Sequence, residues 1–307
     1  MDNALNVRKL NLAESAAVEG ISAPPGVSLW QDAWRRLKKD KLAILSLFVL
    51  VLYCLVAILT RSGLLASDWS QEIAPSYGPP ALDNWRLWLG ADIFGRSVLL
   101  KGVMGAYVSI SVAVLSTLIA VPLGVVLGAV AGYFGGVVDD VITWFYTTLS
   151  NIPSLLLLIS LAYIMDKGII SMSIALGATN WVTICRLIRG EFMKHKEREY
   201  VQAAKSLGAS HARRIFTHIL PNVTHLIIIQ ISFLFVSAIL SEVVLSYLGL
   251  GVQGLPSWGT MIDEAKLELA RGVWWQLATA TGFIFFLALA LNILGDALRD
   301  SLDPKLR

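Results

Sequence analysis

A chain of 307 residues that is 56% hydrophobic and 15% charged, with a mean hydropathy of +0.66, lies far from the roughly 25% charged residues of ordinary soluble domains. Composition excludes a soluble enzyme and points to an integral membrane protein. The formal net charge of +3 follows from how Lys and Arg are shared between the two sides of a bilayer, so it calls for no nucleic-acid partner.

Residues 1–27 are polar and carry Pro24-Pro25-Gly26, which reads as a loose tail, and the first apolar run starts only at Leu42, so no cleavable signal peptide is expected. Ser28 is placed to cap a helix over SLWQDAWRRLKKDK. Its Trp30 and Trp34, with Arg35, Arg36, Lys38 and Lys39, suit an interfacial helix on the inner leaflet of the lipid bilayer; a soluble docking helix is the alternative. Residues 42–60, 102–138, 141–165, 168–185 and 272–295 hold no charge, and 226–262 holds one, Glu242. A spanning helix needs about 20 mostly apolar residues, so six spans fit. With the N-terminus inside, 1–41, 132–140, 186–225 and 296–307 hold 7, 0, 8 and 3 of the 25 Lys and Arg, 18 in all, and 7 lie outside. That asymmetry places both termini in the cytoplasm. Cys54, about 18 Å up its helix, cannot meet Cys185 near an inner end, since a disulfide needs Cα atoms within about 7 Å.

Between the first two spans, Pro75, Pro79 and Pro80 argue against a continuous helix, and Trp69, Trp85 and Trp88 suit the membrane interface. Asp92 and Arg96 can pair in a turn that leads back into the membrane. In the second span Gly124, Gly128 and Gly132 form a stripe that lets another helix approach closely. Asn151 and Pro153 fall within the third span, where a proline frees a carbonyl and permits a kink; they are candidate pathway or gating residues, with plain packing as the alternative. All four histidines lie between 195 and 225, but three are seven residues apart, about 10 Å along a helix, too far for one zinc. Glu242, an acid within the fifth span, is a further candidate pathway residue, with helix packing as its alternative.

The most regular polar segment is Glu199–Pro221, EYVQAAKSLGASHARRIFTHILP. Tyr200, Ala203, Ala204 and Leu207 recur at helical spacing, Gly208 suits a left-handed break, Ser210 can cap a second short helix, and Pro221 marks entry to the next apolar run. A helix–Gly–helix held against a membrane is a docking surface for a soluble partner.

Ala203-Ala204, Gly208 and Leu220-Pro221 resemble the cytoplasmic EAA loop of bacterial ABC importer permeases, with Gln202 in place of the usual glutamate and His218 in place of isoleucine. Other stretches agree with the dipeptide/oligopeptide/nickel class. Gly90, Asp92, Gly95 and Arg96 resemble its LGTDxxGRD stretch, with Ala91 and Ser97 as departures. GYFGG with Asp139, the LSFLGLG-like stretch after Glu242, Pro256-Ser257-Trp258-Gly259 and Trp275 are also similar, although Trp144 and Thr147 stand where an arginine and an aspartate are common and Thr281-Gly282 replaces Pro-Gly. The closing NILGDALRDSLDP resembles NxxGDxLRDxLDP.

The resemblance implies an all-α fold, the six-helix transmembrane domain of type I (MetI-like) importers over 42–307, with a cytoplasmic coupling loop at 191–221. It makes Glu199, Tyr200, Gln202, Ala203, Ala204, Gly208, Leu220 and Pro221 the ATPase-coupling residues. The implied assembly holds a paralogous B-type permease subunit, two ATP-binding subunits and an extracytoplasmic solute-binding protein in a bacterial inner membrane. Consistent with that, the sequence has no GxxxxGK[ST], so ATP and Mg are expected on the partner ATPase subunits, with no cofactor, metal or catalytic residue on this chain. An ion-coupled secondary transporter is the competing reading, but neither repeated halves nor a midplane acid is visible. Tryptophan at Ala204 and valine at Gly208 should uncouple transport, and Gln202→Glu should be mild.

Overall fold

The computed structural model describes residues 34–302, so the tail, the Ser28 cap, Trp30, Asp303 and Pro304 lie outside it. The described residues are helical apart from connecting loops and turns, one 3₁₀ turn at Trp85–Leu87 and two isolated bridges. In chain order the helices are α1 (Lys41–Arg61), α2 (Val98–Phe134), α3 (Gly136–Ser150), α4 (Ser154–Ile164), α5 (Ile169–Lys196), α6 (Glu199–Ser206), α7 (His211–Tyr247), α8 (Trp258–Leu269) and α9 (Trp275–Leu302). Asp40 starts α1, its carboxylate accepting from the amides of Leu42 and Ala43 at 2.9 and 3.2 Å. Ahead of it, residues 34–37 are helical and bury Leu37 against Ala43, Leu294 and Ala297.

Five helices are long and apolar enough to span a membrane: α1, α2, α5, α7 and α9. The sixth crossing is α3 plus α4, bent by 86° at residues 151–153. That bent pair is a true crossing, as the packing of α2 on α5 shows. A Cβ on Gly124 would lie 2.7 Å from the Trp181 carbonyl oxygen and one on Gly128 2.6 Å from that of Cys185; Gly132 meets the Arg189 carbonyl. On α5, Gly177 in turn lies against Ile119. Residue numbers rise together, so the helices run parallel, and the chain between them must return once across the membrane. The glycine stripe is therefore a backbone-to-backbone seam. It sits within an apolar core built from Trp181, Ile184, Ile188, Phe192, Ile219 and Val223.

Glu242 of α7 is fully buried and accepts hydrogen bonds from the hydroxyls of Ser109, 2.6 Å away on α2, and Ser246, 2.7 Å away. Both cysteines are free thiols.

Between the first two spans the Asp92–Arg96 turn forms as expected. Its carboxylate accepts from the Arg96 side chain at 2.8 Å and from the amides of Phe94 and Arg96 at 2.9 Å. What sequence reading missed is Lys101. Fully buried in α2, it binds Asp92 at 2.9 Å, Glu264 of α8 at 2.6 Å and the Gln276 amide oxygen of α9 at 3.2 Å. Burial alone would raise Asp92, but Lys101 and the hydrogen bonds from Arg96 and Lys101 outweigh it and hold this carboxyl below its ordinary range. Helix α8 is not assigned by the sequence analysis. Its start is a capping box of Ser257 and Thr260, and its Trp258 is buried, the indole donating to the Gly102 carbonyl at 2.9 Å.

Close by, Glu268 of α8 is 2% exposed and its carboxylate meets no side-chain donor. Burial raises its pKa, Lys101 opposes the rise, and Glu264 and Asp92 add to it. Between an ordinary Glu pKa of about 4.3 and the raised folded one, the folded state therefore binds more protons than the unfolded chain. Stability should fall as pH rises from that value towards the raised folded one. Glu268→Gln should flatten the profile, which thermal midpoints across this pH range would check; an unchanged slope would refute the assignment.

Candidate functional site

The candidate site is the polar loop between α5 and the membrane part of α7. Helix α5 does not stop at Arg186 and Arg189, as the charge pattern suggests, but runs on to Lys196. Near its end Arg189 forms a two-pronged pair with Asp139 of α3, one of its contacts measuring 2.6 Å. The chain then turns through Glu197 and Arg198 into α6, which ends at the left-handed Gly208, φ +81°. Ser210 caps α7, its hydroxyl accepting from the Arg213 amide at 3.3 Å. Break and cap both lie where the sequence places them.

Two features differ. The second helix is not short: it continues without interruption from His211 to Tyr247, passing through a π turn at Arg214–Ile219. Buried Ile215, Ile219, Val223 and Ile227 are four residues apart, and a wider turn keeps such a series on one face where an α-helix would let it drift. The same turn precedes Pro221, which has no N–H to give. Loop and fifth span are thus one rod.

The second difference is Ala204. Tyr200, Ala203 and Leu207 face outward, Leu207 being 88% exposed, whereas Ala204 turns inward beside Val201 at 8% and 2% exposure. Ala204 packs within the loop and is not part of its outward face. A tryptophan there would disrupt the loop's own packing, so the uncoupling expected of Ala204→Trp would come with local misfolding of the loop. Glu199, Gln202 and Pro221 are exposed and Leu220 is half-buried. Gln202 is engaged within the loop, its amide donating to the Lys196 carbonyl at 2.9 Å. A glutamate cannot donate that bond, so Gln202→Glu would release a tie between α6 and α5. Phe216, 64% exposed, is like Leu207 an exposed apolar residue of the loop, and sequence reading passed it over; an apolar residue in an otherwise polar loop was the available signal.

The loop is stitched to its neighbours. Tyr200 meets His195 Nδ1 at 2.7 Å, and Tyr133, at the end of α2, meets His211 Nδ1 at 3.0 Å. Phe134 stacks on His211, and the Arg214 guanidinium lies over Tyr133. The Arg214 and His211 contacts therefore tie the loop to the second span as well as to the fourth and fifth. Asn151 and Pro153 lie apart from this loop, at the 86° break, where both are exposed and Arg186 donates to Ser150 at 2.6 Å. Glu242 is enclosed by its serine partners and reaches neither the loop nor an open cavity.

Residues 124–307 match the family model described as "Binding-protein-dependent transport system inner membrane component", and 28–80 match "N-terminal TM domain of oligopeptide transport permease C". The chain is 39% identical over 284 residues to the dipeptide transport system permease protein DppC of Bacillus subtilis (strain 168), covering 92% of this chain and 88% of that one. It is 35% identical to the oligopeptide transport system permease protein OppC of the same organism, covering 97% and 98%. It is also 32% identical to the glutathione transport system permease protein GsiD of Pectobacterium atrosepticum, covering 91% and 92%.

Proposed function

Because this chain belongs to the family of binding-protein-dependent transport system inner membrane components, we propose that it is one of two unlike permease halves of an ATP-driven importer for dipeptides, oligopeptides or another small solute of that kind. The observation that carries the coupling is the outward knob of Tyr200, Ala203 and Leu207, broken at Gly208 and continuous through α7 with the fifth span. Separate ATPase subunits dock on this knob. Their closure pushes the rod, and the spans tied to it move as a body. ATP and Mg belong to those subunits, and the solute is delivered by an extracytoplasmic binding protein. The mate is a B-type permease. Glu242, with both oxygens held by serines, offers no support for ion-coupled transport.

Reconstitution tests this reading. The chain with its mate, ATPases and binding protein should take up labelled di- and oligopeptides only with ATP, and the chain alone should transport nothing. Reporter fusions after Asp166 and Gly254 should read outside and one after Lys196 inside. Uptake by the chain alone, or an outside signal after Lys196, would overturn the proposal.

A further inference from the structure

At the Arg61 end of the bundle, α1, α2 and the start of α5 line an open cavity of about 850 Å³. Cys54, Ile58 and Arg61 line one wall and Tyr107, Ser111 and Leu115 the other, each series following one helix face. The start of α5 forms the third wall. From Cys54 to Arg61 is about 10 Å of helix, against about 30 Å for the hydrocarbon core, so the cavity belongs to one leaflet.

Towards the outer surface it is roofed. Leu255 packs with Leu100, Met104 and Tyr107, and Val252 with Val108 and Val112. A spanning helix from another chain would have to pass through that roof. A lipid would not, because it ends at the interface. Exposed Arg61 stands there, donating to the Tyr107 hydroxyl at 3.3 Å and meeting no carboxylate among the described residues. An unpaired cation and a phenol at the rim of a hydrocarbon-lined cavity fit a phosphate with an acyl chain below it.

We propose that this cavity binds a phospholipid, its phosphate on Arg61 and one acyl chain between α1 and α2. The site does not depend on the transport reading. The molecule supplies its own probe, since Cys54 lines the cavity and Cys185 is wholly buried. The assembled transporter, in vesicles of phosphatidylethanolamine and phosphatidylglycerol, would carry a maleimide–diazirine label on Cys54, be illuminated, and have this chain analysed by mass spectrometry. Phospholipid adducts are expected, reduced at least several-fold by Arg61→Gln and abolished by Ser111→Trp. Native mass spectrometry of the detergent-purified complex should show a retained phospholipid that Arg61→Gln loses. Adducts to another polypeptide, no lipid adduct, or equal lipid adducts in Arg61→Gln would each overturn the site.

Discussion

Gly208→Val should abolish ATP-driven uptake while leaving the membrane bundle folded. The glycine has φ +81°, and a Cβ there would meet no atom within 4 Å. Crowding is therefore absent and the penalty is one of backbone alone, about 1–2 kcal/mol for a residue with a Cβ in the left-handed region. That is too little to unfold six crossings. It is enough to turn the backbone out of the left-handed well, which re-aims α6 against α7 and misplaces Tyr200, Ala203 and Leu207. Asparagine tolerates this region, so Gly208→Asn should keep much of the uptake. Ala203→Trp should fail in another way, by blocking the outward face. Uptake, substrate-stimulated ATP hydrolysis and co-purification of the ATPase subunits, measured on reconstituted complexes, separate these cases. Normal uptake by both Gly208→Val and Ala203→Trp would remove the loop from the coupling mechanism.

Gly128→Leu should do the opposite and destroy the bundle itself. A Cβ at this position would sit 2.6 Å from the Cys185 carbonyl oxygen and 3.0 Å from the Ile188 Cβ. Neither is the yielding tip of a long side chain. The two helices would have to part, opening the contacts at Gly124 and Gly132 with them. Overpacking by a few methylenes costs about 1–3 kcal/mol in ordinary cores, and a seam of backbone on backbone has less room to adjust. Gly282 of α9 provides the contrast, because a Cβ there meets nothing within 4 Å. Gly282→Leu should accumulate in the membrane as the parent does, whereas Gly128→Leu should yield little monodisperse protein on detergent gel filtration. Equal yields would mean that α2 and α5 do not pack through this stripe.

Much of the architecture is legible in the sequence because lipid imposes simple rules. Uncharged runs mark the spans, glycines four apart mark the seam, and a glycine followed by a capping serine marks the turn at 208–210. The failures have physical causes too. In a short helix, residues three and four apart share a face only approximately, so periodicity groups Ala204 with Ala203 although the core selects one of them. A 3.6-residue repeat cannot foresee a π turn, and so His211–Tyr247 reads as two elements. Lys101 and Glu264 are separated by 163 positions, and no local pattern in the chain joins them. The resemblance to importer permeases named candidate coupling residues, but the direction in which each one points was set by packing.

The break at residues 151–153 has an implication for insulation. Pro153 contributes no amide and gives α4 no side-chain cap, so the first amides of α4 find no acceptor there. Asn151, Ile152, Pro153, Ser154 and Leu155 all lie on the surface of this chain, with the exposed guanidinium of Arg186 beside them at Ser150. Hydrocarbon cannot solvate such groups, and each one left bare costs several kcal/mol. Bulk lipid is thereby barred from that side of the molecule, which only water or another polypeptide can wet. One flank of this chain is waterproofed for the bilayer, and the flank at the bend outlines whatever completes it.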